Sequence, residues 1–232
     1  MPDTAVGDSG SPIDNRHLLL VGAGPGLGIA VARRFAAGGY RVTLVARSTD
    51  GLRDLADSLA DTGARIDTVS ADASDPEGLR ARMAELYKEQ GAPGLIIYSA
   101  VMGAPDQLLS SSVEHLQTAY AVDVIGAIVV TQVAAPAMQA AGSGTILVTG
   151  GGFADYPIPA LATISLGKAA LRSAATMLGA DLEPDGIRVA TLTIAGQIVA
   201  GTAFDPESIA RRYWEVVHSD GPWQAEFRFT GE

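Results

Sequence analysis

The stretch His17-Leu18-Leu19-Leu20-Val21 runs into Gly22-Ala23-Gly24-Pro25-Gly26-Leu27-Gly28 and continues as Ile29-Ala30-Val31-Ala32-Arg33-Arg34-Phe35-Ala36-Ala37 before Gly38-Gly39. A short, continuous apolar run is what a strand buried on both faces of a parallel sheet requires. Glycines then turn the chain sharply and let a ligand approach the backbone. The segment after them has helical composition and ends at a glycine pair. Strand, glycine loop and helix in this order form a phosphate cradle, because a helix N-terminus offers free N–H groups and the positive end of its dipole.

The rest of the chain repeats the alternation. Strands are expected at Arg41–Ala46, Arg65–Ser70, Gly94–Tyr98, Thr145–Thr149, Arg188–Ile194 and Ala225–Phe229. Between them helices are expected over Thr49–Thr62, with Leu52, Leu55, Ala56 and Leu59 on one face, and from Asp75, an N-cap followed by Pro76, to Gln90. A Ser111-x-x-Glu114 capping box opens a long helix to Ala141, with a bend expected at Pro136. Further helices are expected over Ala160–Glu183 and Pro206–Val217. Short loops joining alternating strands and helices imply βαβ crossovers. The expected fold is α/β: a three-layer, doubly wound parallel sheet in one domain, residues 16–232. Residues 1–15, rich in Asp, Gly, Ser and Pro, read as a disordered leader.

Composition narrows the function. Acidic residues number 26 against 16 basic, a net charge of −10, and no run of basic residues offsets it, so nucleic acid is not an expected partner. The chain has no cysteine, which removes thiolate metal sites and cysteine nucleophiles and accords with a cytoplasmic protein. Three distant histidines make no metal site. Val124–Thr149 is nearly uncharged but is broken by Thr131-Gln132, Pro136 and Gly142-Ser143-Gly144. It reads as a buried helix entering a buried strand, not as a membrane span.

Gly22, Gly26 and Gly28 satisfy G-x-x-x-G-x-G, whereas the general G-x-G-x-x-G would need glycine at Leu27. That spacing resembles the short-chain dehydrogenase/reductase family, and the resemblance extends over nearly the whole chain. Asp72 falls where the family holds the adenine ring, and Ile97–Val101 occupies the Asn-Asn-Ala-Gly turn, keeping only Ala100. Asp123-Val-Ile-Gly126 aligns with Asn-x-x-Gly, and Lys168 with the end of Tyr-x-x-x-Lys. The resemblance implies that Gly22, Gly24, Gly26, Leu27, Gly28, Arg47, Ser48, Asp72, Ala73, Ser99, Ala100, Lys168 and Ile198 bind a nicotinamide dinucleotide. The family's ribose-binding acid is Ala46 here, and Arg47 follows it. A cation there suits a 2′-phosphate, which favours NADP(H) over NAD(H); the alternative is a solvated Arg47 paired with Asp50 or Asp54.

The family's ketone chemistry uses Tyr, Lys, Ser and Asn, and only Lys168 is kept. Ile164 stands at the Tyr position, Gly151 at the Ser position and Asp123 at the Asn position. Isoleucine has no proton to give. One reading is an NADP(H)-dependent oxidoreductase acting on a small organic carbonyl or alcohol, its acid supplied by Tyr156 or Lys168, with Asp123 interacting with Lys168. Asp155, Thr163, Ser165 and Tyr98 are further donors or acceptors nearby. A second reading is non-redox chemistry over the same cleft, such as dehydration, isomerisation or cyclisation. A third is a non-catalytic NADP(H)-binding module. His115 is expected to be exposed. Trp214, Tyr213 and Val217 suggest a packing face or a pocket lid, and Trp223, Phe227 and Phe229 terminal packing or an oligomer contact. The resemblance also implies a homodimer or homotetramer formed through Val124–Ala137 and Ala169–Leu182.

Overall fold

A computed structural model describes residues 13–231. Seven parallel strands form one sheet in the order β3-β2-β1-β4-β5-β6-β7: β1 (Ile13–Val21), β2 (Arg41–Ala46), β3 (Ile66–Ser70), β4 (Ala92–Tyr98), β5 (Gly144–Gly151), β6 (Ile187–Ile194) and β7 (Glu226–Phe229). The order reverses between β1 and β4, so the chain winds outward twice from the centre and leaves a crevice at their C-terminal ends. β1 begins at Ile13, which pairs with Ala92. Ile13, Asp14 and Asn15, expected in the leader, belong to this strand; residues 1–12 lie outside the described residues.

Helices cover both faces. On one side α1 (Leu27–Ala37), α2 (Thr49–Ser58) and α7 (Pro206–His218) bury Phe35, Leu52, Ile209 and Tyr213 with Leu18, Leu20 and Leu44 of the sheet. On the other, α3 (Pro76–Gln90), α5 (Gly126–Ala141) and α6 (Ala162–Leu182) bury Met83, Val130 and Leu171 with Leu19, Ile96 and Ile146. β4 and β5 are buried at every position because both faces of the sheet are covered.

The long helical run departs from expectation at its start and middle. α4 (Val113–Tyr120) is capped by Ser112, whose hydroxyl accepts from the His115 N–H at 3.1 Å, one residue later than the capping box suggests. Pro136 lies inside α5, and the departure from α geometry falls instead at a π-helical turn, Ala121–Ile125. This run, Val113–Ala141, is long and apolar enough to cross a membrane, yet 56% of its apolar window is buried within the fold. α6 starts at Ala162, two residues after the expected Ala160.

The aromatic groups near the C-terminus pack within the chain. Trp214 stacks on His218 at 3.8 Å and fills the space beside Gly38, where a Cβ would stand 2.1 Å from the indole. Trp223 donates to the Val189 carbonyl at 3.1 Å, and Phe229 is buried. Tyr213 is also buried, so these residues form a packing face.

Candidate active site

The crevice between β1 and β4 opens into a cavity of about 370 Å³, walled by the loops after β1, β2, β3 and β4. Gly22 shapes it. Its φ is +88°, and a Cβ there would stand 2.3 Å from the Ala100 backbone nitrogen, so only glycine lets these loops meet. A Cβ on Gly28 would stand 3.1 Å from Ala23 Cα, which brings α1 close to the loop. Gly24 and Gly26 have nothing within 4 Å of a built Cβ. The space above them is open. No side chain caps α1 and no acid occupies its first turn, so the helix end is free to meet an anion.

Arg47, Ser48, Asp72, Ala73, Ser99 and Ala100 all line this cavity. Arg47 is exposed and forms no ion pair among the described residues; Asp50, its alternative partner, pairs with Arg53 at 3.2 Å. Ser48 caps α2 by accepting from the Gly51 N–H at 3.0 Å, which leaves its own O–H free to donate. Asp72 accepts from the Ser74 N–H and hydroxyl, both at 2.8 Å, and these bonds hold its carboxyl below the usual range.

At the end of β5 lies a second group of residues. Lys168 is buried and donates to the Thr149 carbonyl at 2.7 Å. Burial lowers its pKa to about 8, against the opposing effect of Asp123. Ile164, one turn earlier on α6, is also buried. Gly150 must be glycine, since a Cβ would stand 2.4 Å from Thr191; Gly151 need not be, since its Cβ would only touch the Lys168 stem at 3.5 Å.

Asp123 lies in the π turn and is 2% exposed. Oδ1 accepts from the Met102 N–H at 2.7 Å, and Oδ2 is buried without a partner. Burial raises its pKa to about 6. The expected contact with Lys168 is not an ion pair: none forms within 4 Å, and the two groups influence each other only through their fields. The π turn is fixed by Tyr98, whose hydroxyl donates to the Val122 carbonyl at 2.5 Å.

Other expected residues are placed elsewhere. Tyr156 is 79% exposed and lines no described cavity. Asp155 beside it is held at about 2 by hydrogen bonds from Arg172 at 2.7 Å and Arg228 at 2.5 Å, so it carries no proton to give. Ile198 stands on the loop after β6, 39% exposed and away from the cleft lining. The Ser165 hydroxyl is spent on the Leu161 carbonyl at 2.8 Å.

His115 is half-buried rather than exposed, because Asp106 holds its Nε2 at 2.8 Å. Asp106 also accepts from the Thr163 N–H at 3.1 Å and from the Thr163 hydroxyl. Burial would raise this carboxyl, but the Thr163 and His115 bonds outweigh it and hold it at about 2. This carboxylate ties the loop after β4 to the start of α6. The sequence carried no signal for it, since its partner residues, His115 and Thr163, stand on different helices, nine and 57 residues along the chain.

The sheet order and the crevice at its reversal define a fold of the Rossmann class. The chain belongs to the short-chain dehydrogenase family, whose model matches residues 16–206. It is 28% identical over 173 residues to an uncharacterized oxidoreductase of Mycobacterium tuberculosis, covering 74% of this chain and 66% of that one. Identity is 30% over 175 residues to a very-long-chain 3-oxoacyl-CoA reductase of Coccidioides immitis, covering 74% and 50% of the two chains. The chain thus spans between half and two thirds of those relatives' lengths. Among solved structures, L-sorbose reductase from Gluconobacter frateurii, complexed with NADPH and L-sorbose, superposes with a TM-score of 0.76 at 27% identity, over 82% of this chain and 72% of the other.

Proposed function

We propose that the protein is an NADP(H)-dependent oxidoreductase acting on a small organic carbonyl or alcohol, and that Lys168 serves as its proton donor in place of a tyrosine. The observation that carries this reading is the Lys168 ammonium: buried, fixed on the Thr149 carbonyl, and with its pKa lowered to about 8. A general acid works best with a pKa near the working pH. Ile164 cannot take that role, and Tyr156 faces solvent.

The cleft fits the nucleotide. Open space over Gly24 and Gly26 and the uncapped start of α1 suit a pyrophosphate. The Arg47 guanidinium and Ser48 hydroxyl suit a 2′-phosphate, and Asp72 the adenine. When bound, NADPH supplies the hydride. The protein's part is to hold the ring pair, to exclude water at the end of β5, and to hold a proton on Lys168 Nζ. Relatives named as reductases of 3-oxoacyl-CoA and 3-dehydrosphinganine, and a structural neighbour bound to NADPH, support the class.

We further propose a homodimer or homotetramer packed through α6. Its outer face exposes Leu166 (52%) and Met177 (60%), and an apolar cavity of about 600 Å³ adjoins Leu166 and Ala169. A face of this kind is normally covered. Sedimentation of Leu166→Asp should give a smaller species than the unsubstituted chain.

The test of function is titration with NADPH and NADH, followed by NADPH oxidation over a panel of ketones, aldehydes, a ketose and 3-oxoacyl thioesters. NADPH should bind more tightly than NADH. Arg47→Ala should weaken NADPH roughly 10- to 100-fold, the worth of one or two charged hydrogen bonds, and leave NADH unchanged. Binding without oxidation of any substrate would favour the non-catalytic module. Failure to bind either nucleotide would leave only non-redox chemistry.

A further inference from the structure

β5 lies between β4 and β6 in the sheet, so the loops that follow these three strands surround its C-terminal end, where Lys168 stands. The loops interlock. A Cβ on Gly152 would stand 3.5 Å from Ala195 Cα of the loop after β6, and the Asp106 N–H of the loop after β4 donates to the Ala160 carbonyl at 3.1 Å. From Ser99 to Ser112, from Gly152 to Leu161 and from Ala195 to Asp205 they carry no Lys, Arg or His. Their three acids are all occupied: Asp106 by Thr163 and His115, Asp155 by Arg172 and Arg228, and Asp205 by the Gly201 and Glu207 N–H groups. The loops therefore bring no free charge to this end of the sheet.

What they bring is apolar. Val101, Ile158, Ile198 and Val199 are exposed, and Leu109 fully so. Between the loops after β4 and β5 lies the cavity of about 600 Å³, walled by Leu108, Leu109, Phe153 and Ile158 and by Leu166 of α6. Small-molecule sites span roughly 300–1,000 Å³. The hydroxyl of Ser165, which also lines it, is already engaged, donating to the Leu161 carbonyl at 2.8 Å and accepting from the Ile158 N–H at 3.1 Å. The cavity begins near the reacting end of Lys168. Phe153 is two residues on from Gly151, at most about 7 Å along the chain, and a Cβ on Gly151 would touch the Lys168 stem at 3.5 Å. A chain of a few carbons spans that distance. An ion in such a cavity would lose its water and find no partner, whereas each CH2 group gains by leaving water.

We propose that the substrate is an uncharged carbonyl or alcohol bearing an apolar chain, that the chain lies in the cavity between the loops after β4 and β5, and that Phe153 and Ile158 determine this specificity. The proposal rests on the redox reading above and names the substrate class of that site.

The test is NADPH oxidation with methyl ketones from 2-butanone to 2-undecanone and with 6-oxoheptanoate, which matches 2-heptanone in length and ends in a carboxylate. The kcat/KM should rise roughly threefold to fourfold for each added CH2 until the cavity is full. 2-Heptanone should be preferred to 6-oxoheptanoate by roughly 100-fold. Ile158→Lys, at an exposed position, should raise 6-oxoheptanoate by roughly 10-fold or more and lower 2-undecanone, with NADPH affinity unchanged. Equal use of the matched pair, a flat response to chain length, or an Ile158→Lys variant with the unsubstituted preference overturns the proposal. Broadening of the 2-undecanone proton signals by the NADPH-loaded protein reads binding without turnover. If no carbonyl is reduced, the redox reading fails; binding of 2-undecanone that Ile158→Lys abolishes would still support the apolar chain site, and no such binding would overturn it. A change in sedimentation of Ile158→Lys with ketone use and binding both unaltered would mean that a second copy fills the cavity, and the proposal would fall.

Discussion

Gly167 and Asp123 are complementary: the missing side chain of one makes room for the carboxyl group of the other, since a Cβ on Gly167 would stand 2.7 Å from Asp123 Oδ2. The close approach places an unpaired acid in the interior at the cost of fold stability. Its pKa is raised to about 6 in the fold against 3.8 in the unfolded chain. The folded state therefore holds a proton that the unfolded state has lost between those values. Stability from this group is full below about pH 4 and is lost as pH rises through 6.

Asp123→Asn keeps an acceptor for the Met102 N–H and removes the ionisation. It should leave stability unchanged at pH 4 and raise it at pH 7.5 by on the order of 2–3 kcal/mol. Thermal unfolding at the two pH values checks this. Equal effects at both would mean that Asp123 is ionised throughout.

His17 acts with the opposite sign. It is fully buried between β1 and β2, with Nε2 at 2.7 Å from the Thr43 hydroxyl and Nδ1 accepting from Arg41 at 2.7 Å. Burial first, and then Arg41, lowers its pKa to about 4. The unfolded chain binds the extra proton below 6.5, so stability from His17 is present above that value and is lost as pH falls through 4. The loss is on the order of 3 kcal/mol. Between pH 4 and 6 the two groups offset each other. In Asp123→Asn the His17 slope should stand alone, with stability rising steadily from pH 4 to 6.5.

Two glycines of the loop should part company. Gly22→Ala sets a Cβ into the Ala100 backbone at a φ of +88°, and it should lower the melting temperature of the protein without nucleotide. Gly24→Ala meets nothing within 4 Å and should melt as the unsubstituted protein does. It should nevertheless bind NADPH at least 10-fold more weakly, because the new methyl occupies the phosphate's approach. Calorimetry and nucleotide titration separate the two effects.

A tyrosine and a serine can be returned to the site. Gly151 accommodates a Cβ at ordinary contact distance from Lys168, whereas Ile164 is buried and must be repacked around a larger ring, which costs about 1–3 kcal/mol. Gly151→Ser combined with Ile164→Tyr should raise NADPH-dependent reduction of simple ketones above that of the unsubstituted protein. No gain from the pair, with NADPH binding intact, would show that the cleft has lost substrate access as well as an acid.

Much of the architecture was legible because it rests on local signals. The alternation of apolar runs with capped helices located six of the seven strands to within a residue or two of their ends, and the glycine spacing located the cleft. β1 escaped at its start: Ile13, Asp14 and Asn15 fell within the expected leader, yet Ile13 pairs with Ala92 because β4 also begins early. The π turn at Ala121–Ile125 left no periodic trace, since one extra residue per turn hardly disturbs an apolar pattern. The Asp106–Thr163–His115 tie was equally invisible, being made of three separate segments. Tyr156 turns to solvent, and position in a loop does not reveal which way a ring faces.

The direct test of Lys168 as proton donor is the pH profile of single-turnover NADPH oxidation at saturating nucleotide, for the unsubstituted protein and for Lys168→Met. With a donor of pKa about 8, the rate should hold level from pH 6.5 to 7.5 and fall tenfold per pH unit well above 8. Lys168→Met should lose roughly 100-fold or more and lose that limb of the profile. A rate that stays level through pH 9, or a Lys168→Met variant with the unsubstituted profile, would contradict the account.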